Sequence, residues 1–250
     1  MVNVKTGEEI QKIARAARVV ALILDELSKN IKAGMTTEEI NVTSESMLKQ
    51  YGAKSAFKGY RGYPASICVS INDEIVHGIP SPERIIKEGD IVSLDFGAQV
   101  DGFYGDAALT VPVGAVSDDA RRLLETTRES LYLAIREARA GNRLYDISNA
   151  VQDHAESNGF SVVRDFVGHG IGRQLHEEPQ IPNYGEKGKG IRLEKGMVFA
   201  LEPMINMGDY RVRIDPDGWT ARTYDGSLSA HFEHTVVVDD DHGVVLSRVS

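Results

Sequence analysis

The sequence predicts an α/β (α+β) fold made of two similar halves, with a curved antiparallel sheet around a cleft and helices packed outside. Three observations predict it. Each half opens with a pair of amphipathic helices, and each then carries an apolar strand that ends on a carboxylate. The two sets are separated by a constant 107 residues, from Gly34 to Gly141, Gly52 to Gly159, Gly89 to Gly196 and Asp95 to Glu202. Such a repeat is first a statement about fold. It also bears on chemistry, because a pseudo-two-fold axis turns the two carboxylates towards each other. The expected organisation is one domain over residues 1–250, with halves running roughly over 6–112 and 117–250.

The first helix is announced by Thr6 with Glu9 three residues on, a capping box, followed by Ile10, Ile13, Ala14, Ala17, Ala21 and Leu24 at the spacing of one helix face. Thr36 with Glu39 opens the second, which carries Ile40, Met47, Leu48 and Tyr51 and closes at Gly52. In the second half Ser117 with Asp118 and Asp119 opens a helix through Leu124, Leu131 and Ile135, and a shorter one runs from about Leu144 to Asn158, closed by Gly159. Lys87 to Asp95 aligns with Glu194 to Glu202, each a charged turn with glycine leading into an apolar strand. Val92 to Val111 reads as a hairpin with Asp101-Gly102 at its turn, and Ala230 to Val238 reads as one apolar strand around Glu233.

Composition is that of an ordinary globular chain, so net charge is the informative quantity: -9 at pH 7 argues against general nucleic-acid binding, which needs clustered Lys and Arg. The single cysteine, Cys68, excludes an intrachain disulfide and a cysteine-based zinc site, and it suits a reducing compartment. Met1 to Val4 shows no signal-peptide pattern, and no apolar run approaches the ~20 residues of a bilayer span. The expected location is the cytoplasm, with no membrane partner.

With the Asp101-Gly102 turn in register, Asp95 and Asp106 fall on one face of the hairpin as near-diagonal neighbours, roughly 7–8 Å apart at the backbone. Glu202 ends its strand before Pro203, and Glu233 lies in the last apolar strand. Four carboxylates converging in one cleft repel each other unless cations neutralise them, and these strands supply no Lys or Arg. His169, in Phe166-Val167-Gly168-His169-Gly170-Ile171-Gly172, has glycines on both sides that permit close backbone approach, and imidazole is the natural nitrogen donor for such a site. A lone histidine is more often a core or surface residue, and His154, His231, His234 and His242 are read that way. The Gly168–Gly172 run lacks the last glycine of a dinucleotide fingerprint, and Gly185–Gly190 lacks the Walker pattern.

On these residues the chain resembles the type I methionine aminopeptidases. The resemblance covers Phe166 to Tyr184 (FVGHGIGRQLHEEPQIPNY), Ser70-Ile71-Asn72-Asp73-Glu74 with His77-Gly78-Ile79-Pro80, the Asp95/Asp106 hairpin, Leu201-Glu202-Pro203 and Phe232-Glu233-His234-Thr235. It spans essentially the whole chain in order. It implies a pita-bread fold and removal of the initiator methionine from nascent proteins and peptides by two-metal-assisted amide hydrolysis. The five implied ligands are Asp95, Asp106, His169, Glu202 and Glu233. Asp106 and Glu233 would bridge both ions, Asp95 would complete one, and His169 with Glu202 the other. Glu202 would also be general base and proton shuttle, His176 would support the developing oxyanion, and His77 would contact the scissile amide. Two divalent ions are implied, Co, Mn, Fe(II) or Zn, with a monovalent cation on loop carbonyls near Asn72 and Ser229.

By position, the methionine side chain would meet Phe57, Tyr60, Tyr63, Cys68, Leu175 and Trp219, an apolar pocket suited to a thioether. Phe57 and Leu175 depart from the common bacterial pattern of Cys and Phe, which bears on pocket shape and leaves the chemistry alone. The resemblance further implies a monomer that meets nascent chains at the ribosome, in the short form without an N-terminal zinc-binding extension. Two rival readings use the same fold. An X-Pro aminopeptidase or prolidase would share the five ligands but usually carries a sizeable domain ahead of them. A catalytically silent binding protein would have lost ligands, and none is lost here.

Overall fold

A computed structural model describes residues 2–249; Met1 and Ser250, the ends of the expected domain, lie outside the described residues. Helices α1 (Gly7–Asn30) and α2 (Thr37–Gln50) precede strands β1 (Lys54–Ser55), β2 (Cys68–Ile71), β3 (Glu74–Val76), β4 (Ile91–Val100) and β5 (Phe103–Pro112). Helices α3 (Asp118–Glu137) and α4 (Leu144–Ser157) precede β6 (Ser161–Val162), β7 (Gly168–Gly170), β8 (Glu177–Ile181), β9 (Val198–Leu201) and β10 (Met204–Asn206). The chain closes with β11 (Val212–Ile214), β12 (Ala221–Thr223), β13 (Ser229–His231), β14 (Glu233–Val237) and β15 (Val244–Val245).

The helices start where their caps dictate. Thr6 and Thr36 each accept the N–H of the residue three on, and Glu9 and Glu39 reach back to the capping backbone N–H. Such a cap is worth about 1 kcal/mol. Ser117 does the same for Ala120 at the start of α3. The α1 stripe Ile13, Ala17, Val20, Leu24 and Leu27 is buried, and α1 lies directly on the back of the β4–β5 hairpin. The contact is backbone to backbone: a Cβ on Gly105 would stand 2.3 Å from the Ala17 nitrogen.

One sheet organises the molecule, in the order β1-β4-β5-β14-β9-β7-β8, with β2 added on β4 and β15 on β14. Every pairing in it is antiparallel. At its centre, β4–β5 from the first half faces β9–β14 from the second, so the repeat's axis passes between β5 and β14. Each half brings its own helices and its own core. Val20, Leu24, Ile40, Leu94 and Phe96 pack in one, and Leu123, Leu131, Ile147, Val151, Phe199 and Val236 in the other. Burying each such side chain contributes about 1.5–3 kcal/mol.

The structure departs from the sequence reading at Ala230–Val238, which forms two strands rather than one. β13 pairs with β10 and β14 with β9, and Phe232 between them holds only a long bond from its N–H to Pro203 O, at 3.3 Å. The cause lies on the neighbouring strand. Pro203 has no N–H to donate, so the ladder breaks across Glu202-Pro203 and Phe232 together. The two halves of the broken ladder part at that point, with Glu202 and Glu233 at the break.

Candidate functional site

Strand register puts five ligand-type residues on one sheet face. Asp95 lies opposite Ala108, and Ala108 lies opposite Glu233. His169 lies opposite Ala200, and Ala200 opposite Thr235. Asp106 is two residues before Ala108 and Glu202 two residues after Ala200, so both share that face. Alanine at the centre of each row keeps the face open between the longer side chains. The Asp106 backbone is locked to β14 by Thr235, whose Oγ1 accepts its N–H at 3.0 Å and donates to its carbonyl at 2.7 Å. Asn183 Nδ2 donates to the Glu202 carbonyl at 3.0 Å, fixing the chain at the break.

His169 is seated by its glycines. A Cβ on Gly168 would meet Ala200 O at 2.5 Å, and one on Gly170 would meet Glu178 O at 2.3 Å. His169 Nδ1 donates to Gly170 O at 2.9 Å, which leaves Nε2 with a lone pair facing the carboxylates. Nε2 stands 3.6 Å from Glu202 Oε1 and 4.0 Å from Asp106 Oδ2. Ligand atoms of Asp106, His169 and Glu233 all fall within 4.8 Å of one another.

Among the described residues no Lys or Arg pairs with these carboxylates, and the buried Asp106 Oδ1 and Glu233 Oε1 have no hydrogen-bond partner. Burial pushes the Asp95 carboxyl up to about 7, with the Cys68 thiol opposite it pulling the other way. Asp106, Glu202 and Glu233 are driven well above the usual carboxylate range, first by burial and then by their mutual repulsion. Burial holds His169 down at about 3, and His77 and His176 at about 4. Two buried acids (Asp106, Glu233), two half-buried ones (Asp95, Glu202) and a neutral imidazole, without a counter-cation among the described residues, form a donor set that fits divalent ions.

The cavity above this face is about 150 Å³ and is lined by Phe57, Tyr60, Arg61, Tyr63, Cys68, His77, Leu175, His176 and Trp219 together with the five ligand-type residues. His176 lies 4.2 Å from His169 between ring centroids and stacks on Tyr60 at 5.2 Å. The turn carrying Leu175 and His176 is drawn tight by Glu177. Its Oε1 accepts the N–H groups of Arg173 and Gln174, and its Oε2 pairs with the buried Lys5. His77 lines the cavity edge-on to Phe166 and Trp219, at φ +63, a conformation rare outside glycine. Ser70 Oγ accepts the following Gly78 N–H at 3.1 Å, and the Glu74 carboxylate is gripped by Arg84 and Arg222. Trp219, set by a turn in which Asp217 accepts two backbone N–H groups, closes the pocket edge-on against Tyr63 at 5.1 Å.

Two residues on the site escaped the sequence reading. Arg61 sits on the rim at φ +49 with its guanidinium over Tyr60, and nothing in Gly59–Tyr63 distinguishes its direction beforehand. His231, read as a core or surface histidine, is buried with Nε2 3.7 Å from Glu202 Oε2. Its spacing of two from Glu233 is the available signal, since alternate residues of an extended chain share a face.

Residues 11–240 match the profile of metallopeptidase family M24. The chain is 50% identical over 249 residues to methionine aminopeptidase 1 of Bacillus subtilis, covering 100% of both chains. The fold superposes on the crystal structure of methionine aminopeptidase from Thermotoga maritima with TM-score 0.98 and 48% identity, again covering 100% of both chains. Prolidase from Pyrococcus furiosus is similar at the level of fold alone, with TM-score 0.80 and 24% identity over 99% of this chain and 66% of that one.

Proposed function

Because the chain belongs to metallopeptidase family M24, and within it to the methionine aminopeptidases, we propose that its cleft removes the N-terminal methionine of peptide chains by two-metal-assisted amide hydrolysis. It is a metal-dependent hydrolase. The observation that carries the reading is the set of carboxylates around His169, with buried Asp106 Oδ1 and Glu233 Oε1 unpartnered and no cationic side chain to balance them among the described residues. In this reading Asp106, Glu233, Asp95, His169 and Glu202 would hold the ions, with Asp106 and Glu233 shared between them.

Divalent ions, Co, Mn, Fe(II) or Zn, would when bound supply an acidified water and polarise the scissile carbonyl. Glu202 takes a proton from the attacking water and returns it to the leaving amine. His176, beside His169, donates a hydrogen bond to the oxygen that gains charge. His77 faces the scissile amide. Phe57, Tyr60, Tyr63, Cys68, Leu175 and Trp219 enclose the methionine side chain, whose flexible thioether suits an aromatic-lined pocket. Ser229, at the start of β13, donates its N–H to Asn72 O at 2.9 Å, and carbonyls near these two residues would be the place for a monovalent cation.

The catalytic unit is the whole chain, with halves over 6–112 and 117–250. It acts as a monomer in the cytoplasm on peptides and nascent chains emerging from the ribosome. No described helix is long and apolar enough to cross a membrane, and the one cysteine is free and buried. The test is hydrolysis of Met-Ala-Ser, Leu-Ala-Ser and Ala-Pro-Ser by metal-stripped enzyme with and without added Mn or Co. Metal-dependent release of methionine alone is expected. Preference for the Pro peptide would keep the metals and overturn the substrate.

A further inference from the structure

His231 is 1% exposed, yet neither ring nitrogen has a hydrogen-bond partner among the described residues. An unpartnered buried polar group is costly unless it serves something. The ring is held by the close packing around it, on a backbone that is itself fixed on both sides. Thr110 Oγ1 accepts the His231 N–H at 2.9 Å and donates to the His231 carbonyl at 2.8 Å, and His231 pairs with Met204 in the β10–β13 ladder. Nε2 therefore stays 3.7 Å from Glu202 Oε2, while the other oxygen, Oε1, stands 3.6 Å from His169 Nε2. Glu202 is flanked by two imidazoles, one to each oxygen.

We propose that His231 is a positioning residue for Glu202: its Nε2–H takes Oε2 and so aims Oε1 at the His169 side of the cleft, where the proton is handled. The inference rests on the reading of Glu202 as proton shuttle. The present separation exceeds a hydrogen bond, but the last torsion of a glutamate is soft, and a shift of under ~1 Å closes the gap. An imidazole ring has two nitrogens, so it can hold an N–H on the side that faces Oε2. Only one of the two histidines flanking Glu202 has its second nitrogen engaged: His169 donates Nδ1–H to Gly170, whereas His231 has no such bond. Its donor can therefore sit on Nε2 without giving anything up.

The test compares H231L, H231Q, H231N, E202Q and the double variant H231L/E202Q. Methionine release from Met-Ala-Ser with Mn is measured beside Mn affinity by calorimetry and thermal denaturation. H231L is expected to lower kcat roughly 10–100-fold, the usual effect of losing a partner of this kind, with KM and Mn affinity little changed. Gln carries an N–H to the place of Nε2 and should restore most of the rate; Asn reaches only the place of Nδ1 and should not. In the E202Q background H231L should add less than about twofold, because a residue acting through Glu202 has nothing left to act on. Equal rescue by Gln and Asn, or full additivity with E202Q, would overturn the proposal. If H231L does not fold, the contrast between Gln and Asn decides alone. An E202Q enzyme near the normal rate would overturn the shuttle reading itself and this inference with it, and the single variant identifies that case.

Discussion

Stripping the metals and raising the pH from 7 to 9 is expected to destabilise the protein, while the metal-loaded form holds steady. Asp106, Glu202 and Glu233 have carboxyl pKa values driven well above their ordinary range by burial and mutual repulsion. In the unfolded chain the same groups are ionised throughout this window. The metal-free fold therefore binds more protons than the unfolded chain, and stability falls as pH rises. The histidines act in the opposite sense but elsewhere. Burial lowers His169 to about 3 and His77 and His176 to about 4. Their contribution is complete above the unfolded value and is lost only as pH falls below ~6.5. Each carboxyl that keeps its proton costs about 1.4 kcal/mol per pH unit, or about 2.7 kcal/mol between pH 7 and 9. In a chain of this size that lowers Tm by roughly 5–10 °C for a single held proton. Cations favour the ionised carboxylates, so the loaded enzyme does not share this loss. The assay is thermal denaturation of stripped and Mn-loaded enzyme across the window, read as the gap between them so that surface titration cancels. A gap that stays constant or narrows would refute the convergence of these acids.

Three further outcomes follow from single residues. Lys5→Met removes the partner of half-buried Glu177, whose remaining donors are two backbone N–H groups; a loss of about 2–3 kcal/mol is expected, and an unchanged melting curve would contradict it. Gly168→Ala places a methyl 2.5 Å from Ala200 O and must push β7 off β9, so Mn affinity, measured by calorimetry, should fall at least roughly 10-fold. Normal binding would show that His169 does not depend on that approach. His176→Ala should lower kcat by roughly 10²–10³ with metal content unchanged; collapse of metal binding alongside the rate would sink the oxyanion role.

Much of this arrangement is legible in the chain because the signals are local. Thr6 with Glu9 and Thr36 with Glu39 mark helix starts through their own hydrogen bonds. Asp101-Gly102 turns the hairpin with both residues at positive φ, which sets the register that brings Asp95 and Asp106 to one face. The repeat shows in backbone as well as sequence, with Gly89 and Gly196 both at φ +90. What the sequence reading missed is set by partners distant along the chain. The break at Phe232 is imposed by Pro203 on the adjacent strand, and no residue within Ala230–Val238 announces it. The grip of Lys5 on Glu177 spans 172 residues and leaves no periodicity to read. His231 is intermediate: its alternation with Glu233 was visible, but its approach to Glu202 depends on where two broken strands part.

The most direct test titrates metal-stripped enzyme with Mn, following bound ions and methionine release from Met-Ala-Ser on the same sample, beside Asp106→Asn. The wild-type chain should be silent without metal and gain activity as ions bind. Asp106→Asn, lacking a charged oxygen at the centre of the cluster, should lose both binding and turnover. Methionine release by the stripped enzyme, or full ion binding and activity in Asp106→Asn, would contradict the metal-dependent site described above.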